Sequence, residues 1–118
     1  MGIGAAFGAW LRWAFSAWFN PAFPNLPLGT LAANLVGGFL VGIAVEYFLH
    51  HPTLTPELRL FVITGFLGGL TTFSTFSAEA VHLLQRAQWG WAAALIGSHL
   101  AGSIVATIAG MALMRALR

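Results

Sequence analysis

The sequence predicts an all-α membrane protein with four transmembrane helices, the third of them broken mid-membrane. Three observations carry this reading. Apolar residues fill 58% of the 118 positions and charged residues 7%, and mean hydropathy is +0.83, whereas soluble domains carry roughly 25% charged residues. The apolar residues fall into four long runs separated by loops bearing proline, asparagine or charge. The third run gives way to a glycine- and hydroxyl-rich stretch, Gly68–Ser77. A chain this apolar has too little polar surface to face water on every side, so lipid is its expected solvent. Four helices of about 20 residues each use most of the chain, as a single domain over residues 1–118.

The first span is expected over Ile3–Phe19, with Arg12 set among tryptophans. The start lacks the basic region of a cleaved signal peptide, so this stretch is expected to remain as a span. Asn20-Pro21 and Pro24-Asn25-Leu26-Pro27 form a turn, because proline disfavours helix at the residue before it. The second span runs Leu28–Leu49, and its small residues Gly29, Ala32, Ala33, Gly37 and Gly38 permit close helix approach. His50 to Pro56 is a loop, and Thr55-Pro56 reads as a helix N-cap followed by proline at the first helical position. The third span starts near Leu58 and reaches Leu84. Gln85–Gln88 connects it to the fourth span, Trp89–Leu113, where Trp89 and Trp91 sit as interfacial anchors.

The charges exclude several classes. Five arginines stand against three acidic residues, and they are scattered rather than clustered, so a nucleic-acid surface is not expected. With no cysteine there is no disulfide framework and no thiolate metal site. No catalytic triad, phosphate loop or catalytic metal cluster is visible, so the chain does not read as an enzyme. Four spans place the N-terminus, second loop and C-terminus on one side, with Arg59, Arg115 and Arg118. The opposite side holds Arg86, and Arg12 if it leans that way. This bias is small on the positive-inside rule. Insertion in both orientations, with pairing as an antiparallel homodimer, is therefore expected.

Several groups of residues are candidates for chemistry. Irregular backbone at membrane depth is tolerated only where it is buried in protein or lines a wet cavity. Freed carbonyls there suit a cation and freed N–H groups an anion. The bland alternative is a packing kink at Gly68-Gly69, but the hydroxyls of Thr71, Thr72, Ser74, Thr75 and Ser77 argue for more. Phe73 and Phe76, at i, i+3, share a helix face and offer electropositive ring edges. They are otherwise core or lipid-facing aromatics. Ser74 and Ser77 repeat that spacing with hydroxyls. Thr30 and Asn34 are an i, i+4 pair in the second span, as are His99 and Ser103 in the fourth. Each pair suits either a pore lining or an interhelical hydrogen bond. Arg12 is a functional candidate by default, through its electrostatic potential or by snorkelling. Glu79, His82 and Arg86 read as an exposed ion-pair ladder.

The run Gly65-Phe66-Leu67-Gly68-Gly69-Leu70-Thr71-Thr72-Phe73-Ser74-Thr75-Phe76-Ser77 closely resembles the CrcB/Fluc family of fluoride channels. Gly29-Thr30 to Asn34, followed by Gly37, Gly38 and Gly42, is similar to that family's second span. Gly8 and Leu11-Arg12-Trp13 resemble its first-span arginine motif, and His99 with Ser103 its fourth span. The resemblance implies a dual-topology homodimer in the lipid bilayer of a prokaryotic inner membrane, with two antiparallel fluoride pathways. It implies that Phe73 and Phe76 form an aromatic box, that Asn34 lies by the pore, and that Ser74, Thr75, Ser77 and Thr30 belong to a polar track. His99 stands where members of the family often carry tyrosine. A structural sodium ion at the dimer centre is also implied, held by backbone carbonyls at Gly68 and Thr71. Arg12 is expected to act through electrostatics.

The function expected from these residues is passive export of cytoplasmic fluoride, giving fluoride resistance. The alternative is a small multidrug-type proton-coupled transporter, also short and four-spanning. That mechanism needs an embedded acid, and the first span carries Arg12 and no Asp or Glu. A non-transporting assembly subunit, with the break as a docking kink, is the third class.

Overall fold

The computed structural model describes residues 1–22 and 25–117. Pro24, expected in the first turn, and Arg118, counted in the charge bias, lie outside the described residues. Among the described residues every regular element is helical. In chain order these are α1 (Gly2–Phe19), a 3-10 turn (Asn20–Ala22), α2 (Leu28–Leu49), α3 (Pro56–Arg59), a π-helical stretch (Leu60–Leu67), α4 (Gly68–Leu70), α5 (Ser74–Gln85) and α6 (Trp89–Ala116).

Local chemistry explains most of the boundaries. The Thr55 hydroxyl accepts from the Leu58 N–H at 3.2 Å, with Pro56 opening α3. This is the expected N-cap. The end of α5 is closed by two backbone bonds, Ala87 N–H to Leu84 O at 3.0 Å and Gln88 N–H to Leu83 O at 2.9 Å. That is a Schellman closure, with Ala87 at φ 56° in the position that usually holds glycine.

Among the described residues three segments are long and apolar enough to cross a membrane: Leu28–Leu49, Pro56–Gln85 and Trp89–Ala116. The expected first span forms as an 18-residue helix but is not one of the three, because Arg12 and three tryptophans lower its hydropathy. It packs along the third segment through facing glycine pairs. Gly8 lies against the Phe66 carbonyl, and Gly69 against that of Ala5. A second seam joins α2 to α6, where Gly42 meets the Thr107 carbonyl and Gly110 meets that of Phe39. The Thr107 hydroxyl donates to Gly38 O across this seam at 3.0 Å. Such small-residue contacts let backbones approach where lipid gives no hydrophobic drive for association. Leu67 and Leu70 are buried with Ala33 in the central core, and Ala80, Leu83, Ala92 and Leu95 join α5 to α6. At the far end of the α2–α6 seam, buried Glu46 pairs with Arg115 at 3.2 Å and His50 at 3.0 Å.

The interruption of the third segment is shorter than Gly68–Ser77. Gly68-Gly69-Leu70 are helical, and Ser74–Ser77 belong to α5. Only Thr71, Thr72 and Phe73 leave the helix, Thr71 adopting an extended backbone with ψ 156°. The glycine pair therefore does not break the helix, and Gly69 instead admits α1. The π-helical stretch was not foreseen either, since an apolar run carries no signal separating π from α bonding.

Candidate functional site

Asn34 is carried by α2 to the interruption, and its amide takes the place of a helical turn. The Thr72 N–H donates to Asn34 Oδ1 at 2.7 Å, and Asn34 Nδ2 donates to Thr72 O at 3.0 Å. An unbroken ladder would send that N–H to Gly68 O, so the clamp releases the Gly68 carbonyl. The pair of bonds also fixes the amide orientation, since Oδ1 must face the N–H. Nδ2 then points at His99 Nδ1, 2.9 Å away. His99 Nδ1 must accept, so the neutral imidazole carries its hydrogen on Nε2. Both side chains are buried, Asn34 at 9% and His99 at 4% exposure, and His99 Nε2 has no hydrogen-bond partner.

A cavity of about 300 Å³ lies beside this clamp, with Asn34, Thr72, Phe73, Phe76, His99 and Ser103 in its wall. The Phe73 and Phe76 rings meet edge to face, centroids 5.5 Å apart, and Phe76 lies 4.7 Å from the His99 ring. No carboxylate lines the cavity. An anion there meets hydroxyl and ring-edge contacts and, among the described residues, no fixed negative charge. Phe73 is 77% exposed.

A second cavity, of about 290 Å³, has Arg12, Ser16, Thr30, Thr72 and Thr75 in its wall. Thr72 thus borders both. Arg12 donates from Nε to Gly69 O at 3.1 Å, so it is tied to the backbone just before the interruption rather than reaching freely for an interface. The Thr30 N–H donates to Asn20 Oδ1 at 3.0 Å, and its hydroxyl donates to Glu79 Oε2 at 2.7 Å. Glu79 therefore does not join the expected ladder, in which His82 and Arg86 remain partners at 3.4 Å.

Of the residues singled out in sequence, Asn34, Phe73, Phe76, His99 and Ser103 meet at one cavity, and Thr30, Thr75 and Arg12 at the other. Ser74 and Ser77 line neither. Ser74 Oγ lies 3.3 Å from Thr72 Oγ1, and the Ser77 N–H donates to Phe73 O. The Thr71 hydroxyl turns back to Leu67 O at 2.9 Å. Sequence reasoning counted Thr72 among the hydroxyls of the interruption but gave it no place in the pathway; its hydroxyl also accepts the Thr75 N–H at 3.1 Å in the first turn of α5. A threonine three residues before the first turn's N–H was a readable capping signal.

The sequence model of the family described as "CrcB-like protein, Camphor Resistance (CrcB)" matches residues 1–111. The chain belongs to the CrcB-like family. Among its relatives is a protein of Nitrosospira multiformis named "Fluoride-specific ion channel FluC", 66% identical over 111 residues, 94% of this chain and 87% of the relative. Proteins with the same name from Thiobacillus denitrificans and Aromatoleum aromaticum are 58% identical over 107 residues and 52% identical over 118. They cover 91% and 100% of this chain, and 86% and 90% of their own length is matched. Every residue of both cavities, and the whole interruption, falls within the stretch matched by the CrcB-like model.

Proposed function

We propose that this CrcB-like chain is a fluoride-selective channel that lets fluoride leave the cytoplasm passively through a prokaryotic membrane. The carrying observation is the uncharged cavity at the interruption, where the Asn34 amide, the His99 ring and the edges of Phe73 and Phe76 converge. Relatives more than half identical bear the name of a fluoride-specific channel, and three long apolar segments suit a multi-pass membrane protein. Fluoride is small and strongly hydrated, so its path must replace water with several weak contacts. Conduction needs binding favourable enough for entry and weak enough for exit. The path runs from the Phe73–Phe76 cavity past Thr72 to the cavity bordered by Thr30, Thr75 and Arg12. Ser74, which lines neither cavity, joins it only through Thr72 Oγ1, 3.3 Å away, and Arg12 supplies positive potential.

In this reading α1 is the fourth span and the interruption at Thr71–Phe73 lies at membrane depth. Two copies pair antiparallel. The high exposure of Phe73 supports a partner, because a ring belonging to an anion path is not expected to face lipid. A structural sodium ion between the copies is held by the Gly68 and Thr71 carbonyls. The fit rests on the released Gly68 oxygen, since a hard cation prefers oxygen donors. Among the described residues no cluster of His, Cys, Asp or Glu offers another metal site. Bound there, the ion would supply a fixed positive charge beside the Gly68 and Thr71 carbonyls.

Efflux from liposomes tests the function. Vesicles loaded with potassium fluoride and given valinomycin are expected to release fluoride in the presence of the protein, and chloride-loaded vesicles to retain chloride. Fluoride release no faster than from protein-free vesicles would overturn the reading.

A further inference from the structure

We propose that His99 is a proton-linked anion site: its imidazolium, once formed, binds the anion in the Phe73–Phe76 cavity and lengthens its stay. The proposal rests on the fluoride reading above and adds a ligand, the proton, at a named atom.

Asn34 cannot flip, because its Oδ1 accepts the Thr72 N–H while its Nδ2 donates to Thr72 O. It therefore always presents a donor to His99 Nδ1. Neutral His99 answers with a lone pair. Protonated His99 has N–H groups at both ring nitrogens and no lone pair, so a donor would face a donor at 2.9 Å. Either the ring leaves Asn34 or an acceptor enters between them.

No protein acceptor among the described residues bonds His99 Nε2, although the Ser103 hydroxyl shares the cavity wall. His99 Nε2 is already a buried donor without a partner, and such orphans are rare in native structures. Phe76, against the ring, offers no lone pair. Among the described residues no charged group on the elements around His99 is bonded to its ring. Glu79 on α5 accepts from Thr30 through Oε2, while its buried Oε1 has no partner, and Glu46 on α2 is paired with Arg115 and His50 at the far end of the seam. His82 on α5 and Arg86 just beyond its end face each other. On α6 itself Arg115 is the one held by Glu46. The acceptor that fits both the orphan donor and a new positive charge is an anion in the adjoining cavity, whose wall has no competing carboxylate. By linkage the anion must then favour protonation as strongly as the proton favours the anion.

Nitrogen NMR of ¹⁵N-histidine-labelled protein in lipid tests this directly, with the His99 signals assigned by comparison with His99→Gln. Titration midpoints are measured in potassium fluoride and in potassium gluconate at equal ionic strength. Fluoride is expected to raise the His99 midpoint by about 0.7 pH units, a coupling of about fivefold. A His99 midpoint indifferent to fluoride, or lowered by it, overturns the proposal. Bilayer currents, which neutral hydrogen fluoride does not carry, give the second arm. Wild-type fluoride current should fall on acidification through that midpoint, and the remaining current of His99→Gln should be flat. A wild-type current with no such fall also overturns the proposal. Where His99→Gln carries no current, the wild-type titration and current still decide. Wild-type protein without fluoride current at any pH would instead defeat the channel reading.

Discussion

Asn34 commits its carbonyl oxygen and its amino group to three partners at once, Thr72 N–H, Thr72 O and His99 Nδ1. Asn34→Asp keeps the size of the side chain but loses both donated bonds. It also sets a negative charge beside the proposed anion path, where repulsion at about 4 Å amounts to roughly 4 kcal/mol at an effective dielectric of 20. Fluoride efflux should fall by about tenfold or more, while gel-filtration behaviour stays that of a folded protein. Phe76→Ile removes a ring that touches both Phe73 and His99. It should depress efflux too, and wild-type rates in that variant would exclude the ring from the path. Asn34, Phe73, Phe76 and His99 were legible because polar or aromatic groups in apolar runs stand out. What periodicity could not show was who bonds whom. The Asn34–Thr72 clamp joins residues 38 apart in sequence, and Glu79 leaves its own helix face to reach Thr30, 49 residues away.

Helix limits were mostly readable from capping and turn chemistry. Leu28–Leu49 agrees with the expected second span at both ends, and Thr55-Pro56 starts α3 as its residue types require. The interruption was drawn too wide, taking in the glycines, because intrinsic helix propensity is a weak prior that tertiary contacts override. Gly69 spends its missing side chain on the approach of α1, and a side-chain amide from α2 decides where the ladder stops. Two substitutions test these element-level points. Ala87→Gly should stabilise the α5–α6 turn by about 1 kcal/mol, because a left-handed backbone penalises alanine and not glycine. The readout is a higher thermal midpoint in detergent, and a lower one would refute the strained closure. Gly8→Val places branched carbon on the Phe66 carbonyl and should abolish well-folded protein. Gly90→Ala, which meets nothing within 4 Å, should be tolerated.

Across the whole molecule, the glycine seams gather four helical segments into a body 51 × 29 × 20 Å. The long dimension exceeds a hydrocarbon core of about 30 Å. Large apolar side chains remain exposed along it, among them Trp13, Phe73, Leu100, Val105 and Ile108, as expected of a surface that meets lipid or another copy. Positive charge gives little guidance on orientation. Arg115 is neutralised by Glu46, and Arg12 is bound to a backbone carbonyl. Because the chain has no cysteine, one cysteine added after Arg118 reports topology cleanly. A membrane-impermeant maleimide applied to intact cells should label about half of the protein, the share expected for two orientations of similar stability on weak Lys/Arg bias. Labelling near zero or near completion would rule out dual topology and with it the antiparallel pair.

The clamp at Thr72 also has a consequence for how the protein is made. Asn34 is synthesised well before Thr72, and His99 well after it. While the third segment enters lipid, an unpaired amide there is expensive. Until α2 lies alongside, the partner nearest to the Thr72 N–H is Gly68 O, so the nascent segment is driven to insert as one continuous helix. Its interruption is then produced by docking, when Asn34 takes the amide away. His99 completes the arrangement only after the last helix is in place. The Asn34 clamp is thus the last part of the fold to be completed, and a chain arrested before α6 would carry an Asn34 amide still missing its third partner.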